Sequence, residues 1–430
     1  MVITWRASAI TALGVPLYLV TNSASLALAW LGFVAALIAF DVALAPSPRT
    51  LQVSREVPTF TRLSETATST VSIVNQGKRR LRGMLRDAWQ PSAGAVSNRH
   101  AIDVLPGQRA RTITQLLPTR RGERKADQVT VRSLGPLRVA GRQCSYTVDA
   151  SILVLPEFVS RKHLPSRIDQ LRSIEGASLL LRRGQGSEFD SLREYVQGDD
   201  VRDINWRSSA RFRNPVVNTW RPERDRTVMI CLDMSRVSAM RVGAAPRLDA
   251  QMETVLLLSA LAAQAGDKVR VLAFDTQVRA SVRAAKGPTT LNVVAKALAP
   301  LEPTLTEASW DNLSSTFASQ LSQRSLVVLC TGVEGSSLSS GLLRGASFLS
   351  TSHKVVVASV EDLEVSELTS KRDTTEDIFL ASAALKSLEE KREVMARLVN
   401  NGIDVVEANA EQIAPKVADH YLMLKKRGEI

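Results

Sequence analysis

The sequence predicts a mixed α/β protein in three parts: two N-terminal transmembrane helices, a small antiparallel β-sandwich-like region, and a C-terminal doubly wound, mostly parallel sheet. Three observations predict it. Between Ala7 and Leu44 the only charged residue is Asp41. From Leu51 to about Leu155, short alternating or β-branched runs are separated by turn pairs. Beyond Arg226, near-continuous apolar runs alternate with stretches of helical spacing, the pattern of strands buried on both faces by crossover helices. A chain of 430 residues has room for two or three cores. The boundaries fall at 1–48 for a transmembrane hairpin, 49–158 for the β-rich region, 159–225 for a connector, and 226–430 for the α/β domain.

Ala24–Leu44 has the length that crosses a bilayer core, roughly 20 apolar residues. Ala7–Val20 is shorter and carries Pro16, and the polar, uncharged Thr21–Ser25 joins the two runs. Arg6 precedes the pair, Arg49 and Arg55 follow it, and the joining turn has no Lys or Arg. The positive-inside rule then sets both ends in the cytoplasm, making a multi-pass protein of the cell membrane with the bulk of the chain cytoplasmic. Trp5 and Trp30 are expected at the membrane interfaces, and Asp41 at the cytoplasmic end of its helix, within reach of headgroups. A cleaved signal peptide over Ala7–Val20 is the competing reading.

In the β-rich region the strand runs are Thr68–Asn75, Arg111–Leu117, Asp127–Leu134 and Leu137–Cys144, with turns at Gln76-Gly77, Pro106-Gly107, Arg121-Gly122 and Gly135-Pro136, and Ser151–Phe158 closes the region. Lys78–Arg80 and Arg120–Lys125 place positive charge on the turns. Such runs are solvated loops, or rest on anionic headgroups at about 1 kcal/mol per basic residue.

The net charge of +12 admits nucleic acid, anionic lipid and acidic proteins as partners. No nucleic-acid-reading motif occurs, and the basic residues read as scattered, so nucleic acid is not expected. Cys144, Cys231 and Cys330 lack metal-ligand spacing, and His100, His163, His353 and His420 form no cluster, so a zinc site is not expected. The stretch RRGQGSEF lacks the lysine and helix context of a phosphate-binding loop. With no nucleophile–His–acid constellation either, the chain reads as a non-enzyme without an identifiable small-molecule substrate.

In the α/β domain, strands are expected at Arg226–Asp233, Lys268–Phe274, Ser325–Gly332, Lys354–Ser359 and Ile403–Ala408. Helices are expected at Arg247–Asp267, Thr289–Ala299, Trp310–Gln323, Ala381–Asn401 and Ala410–Lys425, with a polar connector running to about Ile174. Ligands of such sheets bind beyond the carboxyl ends of the strands. There Asp233 is followed two residues later by Ser235, an acid and a hydroxyl able to hold a hard cation such as Mg²⁺ or to cap the following turn. This resembles the metal-ion-dependent adhesion site of the von Willebrand factor A fold, an Asp-x-Ser-x-Ser loop completed by a threonine and a later aspartate. Asp233 and Ser235 match, and Thr304 or Thr306 stands for the threonine. Val237 occupies the second serine position, with Ser238 one residue off. Gly332 stands where the aspartate belongs, with Glu334 out of register. The resemblance implies a degenerate metal site, so no cofactor is expected.

The densest motif is GSEFDSLREYVQGDDVRDINWRSSAR, Gly186 to Arg211. Glu188, Phe189, Leu192, Arg193, Tyr195, Gly198, Asp199, Asp200, Arg202, Ile204, Trp206, Ser209 and Arg211 resemble the signature of DUF58 proteins. Arg120–Arg142, the tail His420–Ile430 and the order of segments are similar to that family as well. From the residues, Gly198-Asp199-Asp200 reads as a turn with a capping Asp, Ile204 and Trp206 as inward-facing, and Arg202 and Arg211 as forks onto Asp200 or Glu188. An ion-pair brace, a docking surface rich in Trp, Tyr and Arg, and a carboxylate pair are the three roles open to the stretch. The resemblance implies a membrane-anchored interaction or scaffold protein, its sandwich a spacer, partnered by a MoxR-type AAA+ ATPase in complex maturation or envelope stress. A divalent-metal hydrolase centred on Asp233, and a nucleic-acid- or anionic-lipid-binding protein, are the alternatives.

Overall fold

The computed structural model describes residues 1–181, 188–212, 214–221, 226–243, 245–285, 287–321, 323–335 and 341–430. The chain divides into two compact units, Met1–Leu155 and Pro156–Ile430.

The first unit opens with β1 (Val2–Ile3), then α1 (Trp5–Ala12), α2 (Gly14–Thr21) and α3 (Ala24–Leu44). Among the described residues one helical segment is long and apolar enough to cross a membrane, Ala24–Thr50, of which α3 is the regular part. The first apolar run differs from expectation. It is two eight-residue helices meeting at Leu13, neither of spanning length by itself. Pro16 lies in the first turn of α2, where its missing N–H deprives the preceding turn of a donor. Trp30 is not simply an interface residue: its indole N–H donates to the Ile10 carbonyl at 3.2 Å, and its ring lies where a Cβ on Gly14 would sit.

The strands that follow are β2 (Leu51–Glu56), β3 (Phe60–Arg62), β4 (Ala67–Asn75), β5 (Leu81–Ala88), β6 (Ala95–Val96), β7 (Arg99–Val104), β8 (Arg109–Leu116), β9 (Gly122–Leu134) and β10 (Ala140–Leu155). They form two sheets, β1-β10-β9-β5-β7 with β3 beside β10, and β2-β4-β8-β6. All pairings are antiparallel except β3 with β10. Alternate residues supply the shared core: Val71 and Ile73 from one sheet meet Leu85, Ile102, Val104, Val129 and Val131 from the other. The fully buried Arg55–Asp87 pair, at 2.7 Å, pins β2 to β5, and Ser69 and Trp89 donate to the same carboxylate. The expected strand at Leu137–Cys144 is corrected: Leu137–Val139 is a turn, and the strand starts at Ala140 and continues to Leu155.

The second unit contains α4 (Leu164–Leu181), β11 (Glu188–Glu194), α5 (Trp206–Phe212), β12 (Val216–Arg221), β13 (Thr227–Asp233), α6 (Arg236–Ala239), β14 (Arg241–Val242), β15 (Ala245–Pro246), α7 (Arg247–Gln264), β16 (Lys268–Phe274) and β17 (Val278–Ala285). It continues with α8 (Thr290–Leu298), α9 (Trp310–Gln320), β18 (Leu326–Cys330), α10 (Leu342–Ser350), β19 (Lys354–Val360), α11 (Leu363–Leu368), α12 (Thr375–Asn400), β20 (Asp404–Ala408) and α13 (Ile413–Arg427). The sheet order is β17-β16-β13-β18-β19-β20, parallel except for the antiparallel edge strand β17. Met229, Cys231, Leu272, Phe274, Val327, Leu329, Val355 and Val357 face α9, α10 and α12. The intervening residues serve the other face, where α7 packs against α8 and α13. The connector expected to be polar coil is instead helical over α4, and α12 begins six residues before its predicted start, where Thr374 and Asp377 form a capping box.

Candidate functional site

Three places carry chemistry. The first is the base of the apolar segment. Asp41, expected near headgroups, is instead fully buried. Its Oδ1 accepts the Leu137 N–H, and its Oδ2 accepts those of Val139 and Ala140, each at 2.8 Å. The turn fits because Gly135 has no side chain: a Cβ there would collide with the Asp41 carboxylate and carbonyl. The other end of the apolar segment reaches the same turn. The Thr4 hydroxyl donates to the Arg138 and Val139 carbonyls, and β1 pairs with Ala140 and Gly141. One five-residue turn thus fastens both ends of a forty-residue apolar stretch. Sequence reasoning missed this because the partners lie almost a hundred positions apart.

The second place is the carboxyl edge of the parallel sheet. Asp233 ends β13 and is buried. One oxygen accepts the Ser235 N–H at 2.8 Å, the other the Thr331 hydroxyl at 2.5 Å. Burial pushes its carboxyl above the usual range; Thr331, Ser235 and the nearby Arg247 charge oppose that in part. Arg247, at the first position of α7, is 4% exposed and donates to the Val237 carbonyl at 2.9 Å and Glu334 at 2.8 Å. A Cβ at Gly332 would collide with its guanidinium and approach Val237.

Thr304 and Thr306 are neighbours at 2.8 Å, but Thr304 turns to Asp275 and to the Met234 carbonyl, both at 3.1 Å. These residues do not fit a six-coordinate cation. Both Asp233 oxygens are engaged, Val237 has no donor atom, and an arginine fills the space beside Gly332. Among the described residues no group of three or more His, Cys, Asp or Glu could hold a metal. Among the described residues, the Ser235 and Ser238 hydroxyls are buried without a hydrogen-bond partner. Arg247, Thr331 and Asp275 were missed from the sequence. Asp275 carried a signal, an acid directly after an apolar strand, as Asp233 is; Arg247 and Thr331 carried none.

The third place is the motif hairpin. β11 and β12 pair antiparallel, and the chain between them folds back on itself. The Tyr195 N–H bonds the Pro215 carbonyl at 2.9 Å. Gly198, at φ +112°, turns the chain. Asp199 then accepts the Arg193 guanidinium at 2.6 Å and the Val196 N–H at 3.0 Å, which hold its carboxyl below the usual range. Asp200 caps the following turn through the Arg202 N–H. Asn205 accepts the Ser208 N–H and so caps α5; a lone Asn before a short helix was the overlooked signal. The Ser209 hydroxyl accepts the Val216 N–H at 2.9 Å and seats α5 on β12. Ile204 bridges Val217, and Leu192 is half-buried.

Trp206 is corrected: it faces outward, 68% exposed. At helical spacing Trp206, Ala210, Arg207 and Arg211 share the face opposite Ser209, and all four are exposed. Among the described residues Arg202, Arg207 and Arg211 make no ion pair, so the forks onto Asp200 do not form; the side chains of Glu188 and Phe189 lie outside the described residues. The ion pair that does form, Arg193–Asp199, lies inside the hairpin's own turn.

Fold and sites together define a doubly wound α/β unit carrying an ion-paired hairpin, and an antiparallel sandwich with an apolar helical segment. The family model described as "Protein of unknown function DUF58" matches residues 191–374, from within the hairpin to the start of α12. No curated protein matches the chain. Solved structures similar to parts of it include the CARDB domain of a Pyrococcus furiosus protein: 16% identity, 26% of this chain, 92% of that chain, TM-score 0.18. A FixG-related protein from Vibrio parahaemolyticus shares 11% identity over 24% of this chain and 96% of that one, with a TM-score of 0.17. A Listeria innocua β-glucosidase shares 12% over 23% of this chain and 16% of that one, with a TM-score of 0.16. Likenesses this slight carry no functional weight.

Proposed function

We propose that the protein is a membrane-anchored, non-catalytic interaction protein. Its apolar segments cross the bilayer as a two-helix hairpin, both ends cytoplasmic, and the outward face of α5 receives a protein partner. The single observation that carries the anchor is the shared fastening of Thr4 and Asp41 to residues 137–140, because two ends tied to one turn emerge on one side. Basic flanks at Arg6 and Arg49 set that side as the cytoplasm. The docking role draws on Trp206 with Arg207 and Arg211, residue types that anchor interfaces. The sheet order with its antiparallel edge strand supports a von Willebrand factor A-like reading of the α/β unit. The resemblance to DUF58 proteins makes a MoxR-type AAA+ ATPase the partner to seek.

Topology is tested by labelling intact cells with a membrane-impermeant maleimide, after Cys144 is replaced by Ser. Ser23→Cys labels from outside, and Arg138→Cys labels only after permeabilisation. Labelling of Arg138→Cys in intact cells, or failure at Ser23→Cys, overturns the hairpin. Affinity capture from solubilised membranes, with nucleotide present, tests the partner: recovery of no ATPase overturns that assignment.

A further inference from the structure

The chain's positive charge is not spread evenly. Residues Met1–Leu155 hold nineteen Lys and Arg against eight Asp and Glu, a net +11 of the chain's +12, while Pro156–Ile430 is nearly balanced. Part of that excess surrounds the base of the apolar hairpin. Arg79 donates to the Leu44 carbonyl at 3.5 Å and Arg142 to the Val42 carbonyl at 3.0 Å, neutralising the carboxyl-terminal end of α3. Arg138, held at φ +56°, is in the turn that receives Thr4. Arg6 lies two residues beyond Thr4 beside the exposed Trp5, and Arg49 lies five residues beyond Leu44. Lys78 follows Gly77, whose Cα approaches Thr50 closely enough that a Cβ would meet its hydroxyl at 2.7 Å.

Arg6, Arg49, Lys78, Arg79 and Arg138 are exposed, and among the described residues none forms an ion pair. Asp41, the acid of α3 that faces this turn, is buried and spent on three backbone N–H groups. Arg80 and Arg82, by contrast, are matched by Asp103. An unmatched basic collar at the end of an apolar helix, with an aromatic side chain beside it, complements a layer of phosphates rather than a single free anion.

We propose that this collar is a binding site for anionic phospholipid headgroups, which rests on the reading of the apolar segment as membrane-embedded. Arginine and lysine donate to the headgroup phosphates, and the turn carrying Arg138 is thereby held against the bilayer surface.

The test uses the full chain in nanodiscs of phosphatidylcholine with or without phosphatidylglycerol, read by native mass spectrometry of retained lipid and by thermal unfolding. Wild type retains phosphatidylglycerol preferentially and melts higher in its presence. The triple variant Arg49→Gln, Lys78→Gln, Arg138→Asn loses that preference by on the order of 100-fold. The charge-keeping variant Arg49→Lys, Arg138→Lys retains it, which separates charge from misfolding. Equal retention of both lipids by wild type, or an undiminished preference in the triple variant, overturns the site. Displacement of phosphatidylglycerol by DNA at physiological salt overturns it in favour of nucleic acid. Failure of wild type to enter nanodiscs at all instead refutes the membrane reading beneath it.

Discussion

The Asp41 carboxylate accepts the backbone N–H of Val139 across ninety-eight positions of sequence, at 2.8 Å in a fully buried site. Asp41→Ala leaves three N–H groups without their acceptor, two of them buried. At roughly 1–3 kcal/mol for each orphaned donor, the first unit loses several kcal/mol. Thermal unfolding of the detergent-solubilised chain reads this as a drop of many degrees. Gly135→Ala, which drives a methyl group into the same carboxylate, behaves alike, whereas Gly32→Ala, in open space on α3, leaves the melting temperature unchanged. Equal melting temperatures for all three refute the fastening.

Arg247 lies at the sheet's carboxyl edge, paired with Glu334 and near Asp233. Arg247→Met removes one partner of Glu334 and the positive charge near Asp233, at about 1–3 kcal/mol for a charge-assisted hydrogen bond. Adding Glu334→Gln restores part of the loss, and the double-mutant cycle measures the coupling. Mg²⁺ or Mn²⁺ produces no calorimetric heat and no thermal shift in wild type. A saturable, stoichiometric Mg²⁺ isotherm contradicts the assignment.

Asp275 sets an acid limit on the α/β unit. Burial opposes its charge, but the Gln277 N–H, the Arg279 guanidinium and the Thr304 hydroxyl outweigh it and hold the carboxyl below the usual range. A depressed carboxylate stabilises the fold above its unfolded value of about 4, and that contribution fades as pH falls through the lower folded value. Asp275→Asn therefore melts well below wild type at neutral pH. The two converge as pH drops under about 4. A wild-type minus variant difference that does not change with pH excludes this linkage.

Trp206→Ala tests docking apart from stability. An exposed side chain costs within about 0.5 kcal/mol on removal, so the melting temperature holds while capture of the partner from solubilised membranes falls. Ser209→Ala is the control in the other direction: it removes the acceptor of the Val216 N–H and lowers stability. A large loss of stability in Trp206→Ala contradicts the outward orientation.

The parallel strands were legible because each is an almost unbroken apolar run: Lys268–Phe274 was read to the residue, and β13 and β19 to within one. The edge strand Val278–Ala285 escaped, its polar residues resembling a loop, as did α10, too short to display a period. Trp206 was read inward since tryptophan is usually buried; Ser209, which seats α5 on β12, decided otherwise. The Asp233 loop was visible as a motif, but the Arg247–Glu334 pair beside it was not, because Arg247 arrives from the start of another helix. The charge asymmetry between the two units was countable from the sequence, since the expected boundary at 158 lies three residues from Leu155, and it was overlooked.

The residues that close the base of the apolar hairpin are translated about a hundred codons after the hairpin itself. On the proposed membrane reading, α1–α3 leave the ribosome and meet lipid long before Leu137 and Ala140 exist, so insertion precedes latching. A defect confined to that latch allows a protein to be delivered to the membrane in normal amount and then fail to mature, which places its lesion in late assembly rather than in targeting.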